Sequence, residues 1–314
     1  MTLTWTDIGR SHEHCRGKRM ETSIARRIGV FVRKYYWAYL FILGPVISTT
    51  VFLFIPMVSS FAFSLTEWSG LQPPQFVGLA NYKKLLFDDP KFVKSFVNTT
   101  IFVILGQGSG PIFGLISALA LNQKVRFRAG FRTAYFLPVM TSLVVVATVW
   151  KMLYNENGLI NGLLRTVDLP TTRWLNNPAT ALVSVIVTSV WQGFGFETVI
   201  FLAALQAIPQ ELYEAAMIDG ANAWNRFWHV TLPSLRPVIV MIYIIGIIGT
   251  YQVFDQIYVM TDGGPVNASR TIVFHLWDNF HYMKFGYASA VAYVLFAVLA
   301  LFSYLQMKFL GRED

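Results

Sequence analysis

The chain has 314 residues, of which 54% are hydrophobic and only 13% are charged. Soluble domains carry about 25% charged residues, so this composition argues against a soluble protein and for a chain surrounded by lipid. The net charge of +8 does not indicate nucleic-acid binding, because most lysines and arginines lie in a few loops between apolar runs. Cys15 is the single cysteine, which excludes an internal disulfide and a thiolate metal site.

Residues 1–36 are polar and basic, and they predict a cytoplasmic tail rather than a signal peptide, since no short apolar stretch with a cleavage site follows. Six windows without charged residues come next. Each is long enough for a helix that crosses the bilayer, which takes about 20 residues. Helices satisfy their own backbone groups in lipid, so we expect an all-α membrane protein with six transmembrane helices in one domain, residues 37–307. The approximate spans are 37–63, 97–121, 134–153, 179–203, 237–260 and 286–307.

The positions of the basic residues predict the orientation. Six crossings place the tail, loops 122–133 and 204–236, and the C-terminal segment 308–314 on one side, and these segments hold 16 of the 25 lysines and arginines. Basic loops stay in the cytoplasm, so both termini are expected on the inner side of the cell membrane. The outer loops, each rich in turn-forming residues, are 64–96, 154–178 and 261–285.

Loop 204–236 predicts two helices joined by a turn. Pro209 suits the start of a helix, because its missing N–H costs nothing there, and Gly220 can end that helix with a positive φ. Asn222 can cap the next helix, which we expect to stop at Leu232-Pro233 where the membrane begins. An ordered two-helix element in a cytoplasmic loop indicates a protein interface.

The composition of the two helices supports an interface. Ala215 and Ala216 are small and let another surface approach the backbone closely, whereas Trp224, Phe227 and Trp228 lie at helical spacing and form an aromatic face. Exposed apolar surface of this kind marks interaction sites.

The same loop resembles the signature loop of ABC importer permeases. That signature is Glu-Ala-Ala, three residues, Gly, nine residues, Ile, one residue and Leu-Pro, and here Val230 replaces the isoleucine. The segments 208–213, 219–221 and 254–265 resemble the sugar-importing branch, of the maltose-permease type. The resemblance implies that the loop couples the chain to an ATPase subunit. The coupling residues that it implies are Glu214, Ala215, Ala216, Asp219, Gly220, Leu232 and Pro233.

The resemblance further implies a permease that moves a sugar or sugar-like solute into a bacterial or archaeal cytoplasm. It implies a second homologous permease, two ATPase subunits and an extracytoplasmic solute-binding protein as partners, besides the lipid bilayer and without nucleic acid. The sequence has no Gly-x-x-x-x-Gly-Lys-Ser/Thr phosphate loop, and the glycine-rich stretch 106–110 lies within the second predicted span. We therefore expect a non-catalytic subunit that binds no cofactor itself, with ATP and Mg²⁺ on the ATPase partners.

Polar residues within the spans are candidates for the solute pathway. Sugars bind to amides and carboxylates beside aromatic faces. The residues of these types are Gln107, Trp191, Gln192, Tyr251, Gln252 and Asp255. Ordinary packing is an equal alternative for the aromatic residues, as is a polar helix end for Asp255. A structural link to the partner permease or the inner loop is favoured for Glu197.

One alternative solute class stays open, and two other classes of membrane protein are disfavoured. A solute of the glycerol-phosphate type fits the same sequence, and the sequence does not tell which of the two permeases holds the solute. A secondary transporter predicts paired repeats and charges near the bilayer midplane, which the sequence lacks. An integral-membrane enzyme predicts clustered His, Asp or Glu at one membrane face, and the five histidines have no such spacing.

Overall fold

The computed structural model describes residues 35–123 and 126–310. Most of the predicted tail, including Cys15, and the last four residues lie outside the described residues. The chain divides into two compact units, Met1–Ser60 and Phe61–Asp314. Of the first unit, the described part belongs to a single long helix. The second unit contains every other element named below.

The described residues form helices almost throughout. Their bounds are α1 Tyr35–Ser64, α2 Ala80–Lys83, α3 Pro90–Asn122, α4 Arg128–Met140, α5 Leu143–Leu153, α6 Leu159–Thr166, α7 Ala181–Ala207, α8 Gln210–Ile218, α9 Ala223–Tyr251, α10 Asp255–Met260, α11 Ile272–His281 and α12 Phe285–Leu310. Strands β1 Thr66–Glu67 and β2 Gln75–Phe76 pair antiparallel, with Thr66 opposite Phe76 and Glu67 opposite Gln75. Stretches of π-helix lie within α1 and α9, at Thr50–Phe54 and Phe227–Thr231, and at Lys84–Asp88 after α2.

Five helices, α1, α3, α7, α9 and α12, are long and apolar enough to cross a membrane. Helices α4 and α5 meet that criterion only together, and they are bent by 99°. The third predicted span, 134–153, was therefore wrong as a continuous helix. The backbone leaves the helical conformation at Thr141 and Ser142, where ψ is 140° and 133°. A count of charge-free residues does not detect such a break.

The fifth predicted span, 237–260, is not one continuous helix, and the helix that forms most of it begins earlier, in the predicted loop. Helix α9 begins at Ala223 and runs through Leu232-Pro233, which we had expected to end the loop's second helix. The π-helical stretch just before Pro233 widens the turn against which a proline ring clashes, so the helix continues. At its other end α9 stops at Tyr251, and the chain is non-helical at residues 252–254 before α10.

Helix α7 packs against both α3 and α4 at glycines. A Cβ on Gly114 of α3 would lie 2.8 Å from the Cβ of Glu197, and one on Gly110 would lie 3.0 Å from the Glu197 Oε2. A Cβ on Gly195 of α7 would lie only 1.9 Å from the carbonyl oxygen of Tyr135 in α4. Small residues allow membrane helices to approach this closely. The glycine-rich stretch of α3 therefore serves helix packing.

Candidate functional site

A tight turn joins α8 to α9. Gly220 has a φ of +80°, which an L-residue with a Cβ adopts only with strain. Its N–H donates to the Met217 carbonyl at 3.1 Å, and the Ala221 N–H donates to the Ala216 carbonyl at 2.8 Å. This pair of bonds is the Schellman ending of a helix, and it satisfies carbonyls that would otherwise lack partners. The predicted role of Gly220 in ending the helix is confirmed.

Side chains fix the start of α9 and tie it to α8. The Asn222 Oδ1 accepts from the Asn225 N–H at 2.8 Å, as predicted for a helix cap. Away from the turn, the hydroxyl groups of Tyr213 in α8 and Thr231 in α9 lie 3.0 Å apart, and Thr231 is buried. The two helices are thus linked at the turn and again at the π-helical stretch. Because α8 and α9 are linked at two points, they can move as one rigid unit when a force acts on the turn.

The turn carries exposed apolar side chains. Ile218 is 88% exposed and Trp224 is 66% exposed, and Met217 and Trp228 are also exposed. We call these four residues the turn surface. The rings of Trp224 and Trp228 meet edge to face at 5.6 Å between centroids. Protein surfaces that remain in contact with water rarely expose several large apolar side chains side by side. The turn surface therefore has the composition of an interface core.

The predicted coupling residues lie beside the turn surface. Glu214, Ala215, Asp219 and Gly220 are exposed, and Ala216 is half-buried. Their carboxylates give the apolar turn surface an acidic rim, which is the usual anatomy of a protein interface. Leu232 and Pro233 lie further along α9, where Leu232 is half-buried and Pro233 is exposed.

Two of the predicted pathway residues are buried between helices. Gln107 is 6% exposed; its Nε2 donates to the Ile242 carbonyl, and its Oε1 accepts from the Thr250 hydroxyl, each at 3.4 Å. Tyr251 is 1% exposed and packs on Phe302. Both side chains hold α9 against its neighbours in this structure.

The other four predicted pathway residues lie at or near the two helix breaks. The Gln192 Nε2 donates to the Pro138 carbonyl at 3.4 Å, near the end of α4, and the exposed Trp191 meets Trp150 of α5 edge to face. Gln252 and Asp255 are exposed at the break between α9 and α10. The structure therefore separates these four residues into two groups: Trp191 and Gln192 lie on the continuous helix α7 beside the α4–α5 break, and Gln252 and Asp255 lie at the α9–α10 break.

Sequence analysis missed a buried polar network at the start of α3. The Asp89 Oδ2 accepts from the Tyr287 hydroxyl at 2.6 Å and from the His275 Nε2 at 3.2 Å. The His275 Nδ1 accepts from the Arg270 Nε at 3.3 Å, and Arg270 also pairs with Asp278. No local pattern could have indicated this network, because Asp89 is far along the chain from the other members, which all lie between Arg270 and Tyr287.

Electrostatics explain the protonation of this network. Burial lowers the pKa of His275 to about 4, although the Asp89 carboxylate acts in the opposite direction. Burial alone would raise the pKa of Asp89, but hydrogen bonds from Tyr287 and the Phe92 N–H, with the charge of His275, lower it below its usual value. At neutral pH a neutral imidazole therefore donates to an ionised carboxylate.

Acid should loosen this network. Unfolded histidine takes up a proton near pH 6.5, whereas buried His275 does so only near pH 4, so the unfolded state binds more protons in between. The free energy of local unfolding should fall by about 3 kcal/mol as the pH falls from 6.5 to 4. The lowered pKa of Asp89 also reduces stability as the pH falls, at the acid end of this range.

Hydrogen exchange of the α11 amides, corrected for intrinsic rates, measures the free energy of local unfolding at each pH. His275→Gln should flatten the dependence, and an equal slope in both proteins would contradict it.

Comparison with known proteins places the chain in a family. Residues 110–313 match the family described as "Binding-protein-dependent transport system inner membrane component". The chain is 36% identical over 285 residues to the probable ABC transporter permease protein YurN of Bacillus subtilis, covering 88% of this chain and 97% of the relative. It is 34% identical over 276 residues to the trehalose/maltose transport system permease protein MalF of Thermococcus litoralis, covering 87% and 93%.

The fold matches a solved structure. One chain in the crystal structure of a bacterial ABC transporter involved in the import of the acidic polysaccharide alginate has a TM-score of 0.78 to this chain. The two are 23% identical, and the match covers 90% of this chain and 99% of that one. The resemblance inferred from the loop motif is confirmed. The chain belongs to the family of binding-protein-dependent transport system inner membrane components, and it is a multi-pass membrane permease of the ABC transporter type.

Proposed function

We propose that this chain carries a sugar or sugar-like solute into the cytoplasm as one of two membrane-spanning subunits of an ABC importer. Relatives support the solute class. They are named as permeases for multiple sugars, for trehalose and maltose, for lactose and for arabinooligosaccharides, at 34–35% identity. Each match covers at least 87% of this chain.

The proposed topology has six crossings with both termini in the cytoplasm. Helices α4 and α5 together form the third crossing. The basic loop 122–133 and the α8–α9 element then lie inside, in agreement with the excess of lysine and arginine on that side. Strands β1 and β2 and helix α11 lie outside.

The proposed partners follow from this topology. Outside, a solute-binding protein delivers the solute; a solved transporter of similar fold is described in complex with an alginate pentasaccharide-bound periplasmic protein. Within the membrane, a second permease completes the pathway. Inside, two ATPase subunits bind ATP and Mg²⁺, so this chain contributes neither a nucleotide site nor a cofactor site.

The observation that carries the coupling role is the exposed turn surface with its acidic rim. Two non-helical residues, Ile208-Pro209, connect α7 to α8, and α9 leads from the turn back into the membrane as one helix of 29 residues. A displacement of the turn by an ATPase subunit is therefore passed directly to α9, and to α7 through this short connection. The Schellman bonds, the Asn222 cap and the Tyr213–Thr231 contact keep the element rigid while it moves.

The proposed solute pathway runs beside the two helix breaks, one between α4 and α5 and the other between α9 and α10. Backbone groups released from a helix cannot face lipid, so a break within a span must face protein or a water-filled path. Gln192 lies at the first break, and Gln252 and Asp255 at the second. These side chains supply the amide and carboxylate groups that bind sugar hydroxyls, with Trp191 exposed beside Gln192.

Substitution of Gly220 tests the coupling role. Open space surrounds this residue, so valine there causes no clash, but a φ of +80° strains a residue with a Cβ by about 1–2 kcal/mol. That strain lowers the equilibrium constant for forming the turn roughly tenfold. In the reconstituted assembly, Gly220→Val should retain ATP hydrolysis and reduce solute uptake by up to the same factor.

Gly220→Asn is the matched control, because asparagine tolerates the left-handed conformation far better than valine. Its uptake should stay close to that of the wild type. If the valine variant transported as well as the asparagine variant, the turn would have no part in coupling.

A further inference from the structure

A cavity of about 640 Å³ opens beside the β1–β2 hairpin, at the beginning of α3 and the junction of α11 with α12. Its volume falls within the range of about 300–1,000 Å³ that is typical of small-molecule sites. Under the proposed topology it lies on the outer side, on elements other than the two helix breaks. Its lining includes Trp68, Gln72, Gln75, Asn81, Asp89 and Tyr287.

The floor of the cavity is held rigidly. Asp89 accepts hydrogen bonds from Tyr287, His275 and two backbone N–H groups. The Asn81 Nδ2 donates to the carbonyls of Ser64 and Thr66, both at 2.9 Å. Its Oδ1 makes no hydrogen bond among the described residues and is left to accept one from a ligand. A preorganised floor lowers the entropy lost on binding.

The rim, by contrast, offers unused polar groups. Glu67 and Gln75 are directly opposite each other in the hairpin, and both line the cavity, while the neighbouring Phe76 does not. Within residues 35–123 and 126–310, the side chains of Glu67, Gln72 and Gln75 form no hydrogen bond, and neither does the Trp68 Nε1. The rim therefore presents both donors and acceptors next to an aromatic residue.

The charges decide between classes of ligand. Two lysines, Lys84 and Lys284, stand against two carboxylates, Glu67 and Asp89, so the lining has no net charge. A net-neutral lining gives no preference to an anion or a cation. Amides and paired charges beside the half-buried Trp68 are instead suited to many hydroxyl groups on a molecule with apolar faces, as in a carbohydrate.

We propose that this cavity is an accessory binding site for a neutral oligosaccharide, which holds part of the solute at the outer face before it enters the membrane pathway. The inference rests on the proposed sugar import. It adds a second point of solute contact, formed by the hairpin and α12 and separate from the helix breaks.

Thiol protection tests the site in the complete assembly. In a Cys15→Ser background, Ser69→Cys places a thiol on the cavity lining, and Phe76→Cys places one on the opposite face of the same hairpin. Uptake of maltotriose, arabinotriose and raffinose by the wild-type assembly is measured first. The trisaccharide that is taken up, added without solute-binding protein or ATP, should slow maleimide labelling at least threefold at Ser69→Cys and leave Phe76→Cys unchanged.

A further variant and the following outcomes decide whether the cavity is an accessory sugar site. Gln75→Ala should remove the protection at Ser69→Cys, because Gln75 lines the cavity and its amide is free to bind a sugar hydroxyl. Equal protection at both positions, or none with a sugar that is transported, would overturn the accessory site and leave sugar import standing. Protection by the solute-binding protein alone would make the cavity a protein-docking surface and overturn the site as well. Failure of uptake with every sugar would instead count against sugar import itself.

Discussion

Replacing Ile218 with aspartate is expected to detach the permease from its ATPase subunits without unfolding it. Ile218 is 88% exposed, so the substitution removes no core contact within the chain. A charge at the centre of an apolar interface loses the contact and must also be desolvated, and loss of a hot-spot residue there costs about 2 kcal/mol or more. We therefore expect roughly 30-fold weaker association, a matching loss of uptake and an unchanged thermal unfolding temperature.

Val266→Asp is the matched control for this prediction. Val266 is an apolar residue with 86% exposure, and it lies between α10 and α11, on the side proposed to face outward. It should leave ATPase copurification unaffected. Trp224→Asp, on the other side of the turn, should reproduce the Ile218→Asp defect. Normal copurification of the ATPase with both turn variants would contradict the assignment of the turn surface.

Replacing Gly195 with alanine is expected to damage the packing of α7 against α4 severely, although it adds only one methyl group. The new Cβ would lie 1.9 Å from the Tyr135 carbonyl oxygen, which belongs to the backbone of α4 and cannot rotate away. Overpacking of this kind costs about 1–3 kcal/mol, and a forced shift of α4 would also disturb the Gln192–Pro138 hydrogen bond at the helix break. The variant should unfold at lower temperature in detergent and show reduced uptake.

Gly193→Ala separates this clash from any general effect of alanine in α7. Gly193 lies two residues earlier in the same helix, and a Cβ there would meet nothing within 4 Å. Since alanine favours a helix by about 1 kcal/mol over glycine, this variant should be neutral or slightly more stable. Equal unfolding temperatures for the two variants would show that α4 does not pack on α7 as described.

Features that depend on neighbouring residues could be predicted from the sequence. The turn at Gly220 and the cap at Asn222 follow from backbone chemistry within a few residues, and both are found in the structure. The apolar lengths likewise predicted the long helices α1, α3, α7 and α12. Motif spacing gave the family, because the signature consists of fixed residue types at fixed distances along one loop, and this chain departs from it only at Val230.

Features that depend on tertiary context could not be predicted in this way. The break at Thr141-Ser142 carries no charge, so a window free of charges ran across it. Pro233 did not end its helix, because a π-helical stretch precedes it. The contact of Asp89 with Tyr287 joins residues 198 positions apart, and no local pattern encodes that distance.

The most direct test of the central claim is the ATPase activity of the purified assembly in lipid, measured against a panel of sugars with the solute-binding protein present. We expect ATPase subunits to copurify with this chain, and we expect hydrolysis to rise with the binding protein and one sugar of the panel. If no ATPase copurified and uptake proceeded without ATP, the chain would not work as the permease of an ABC importer.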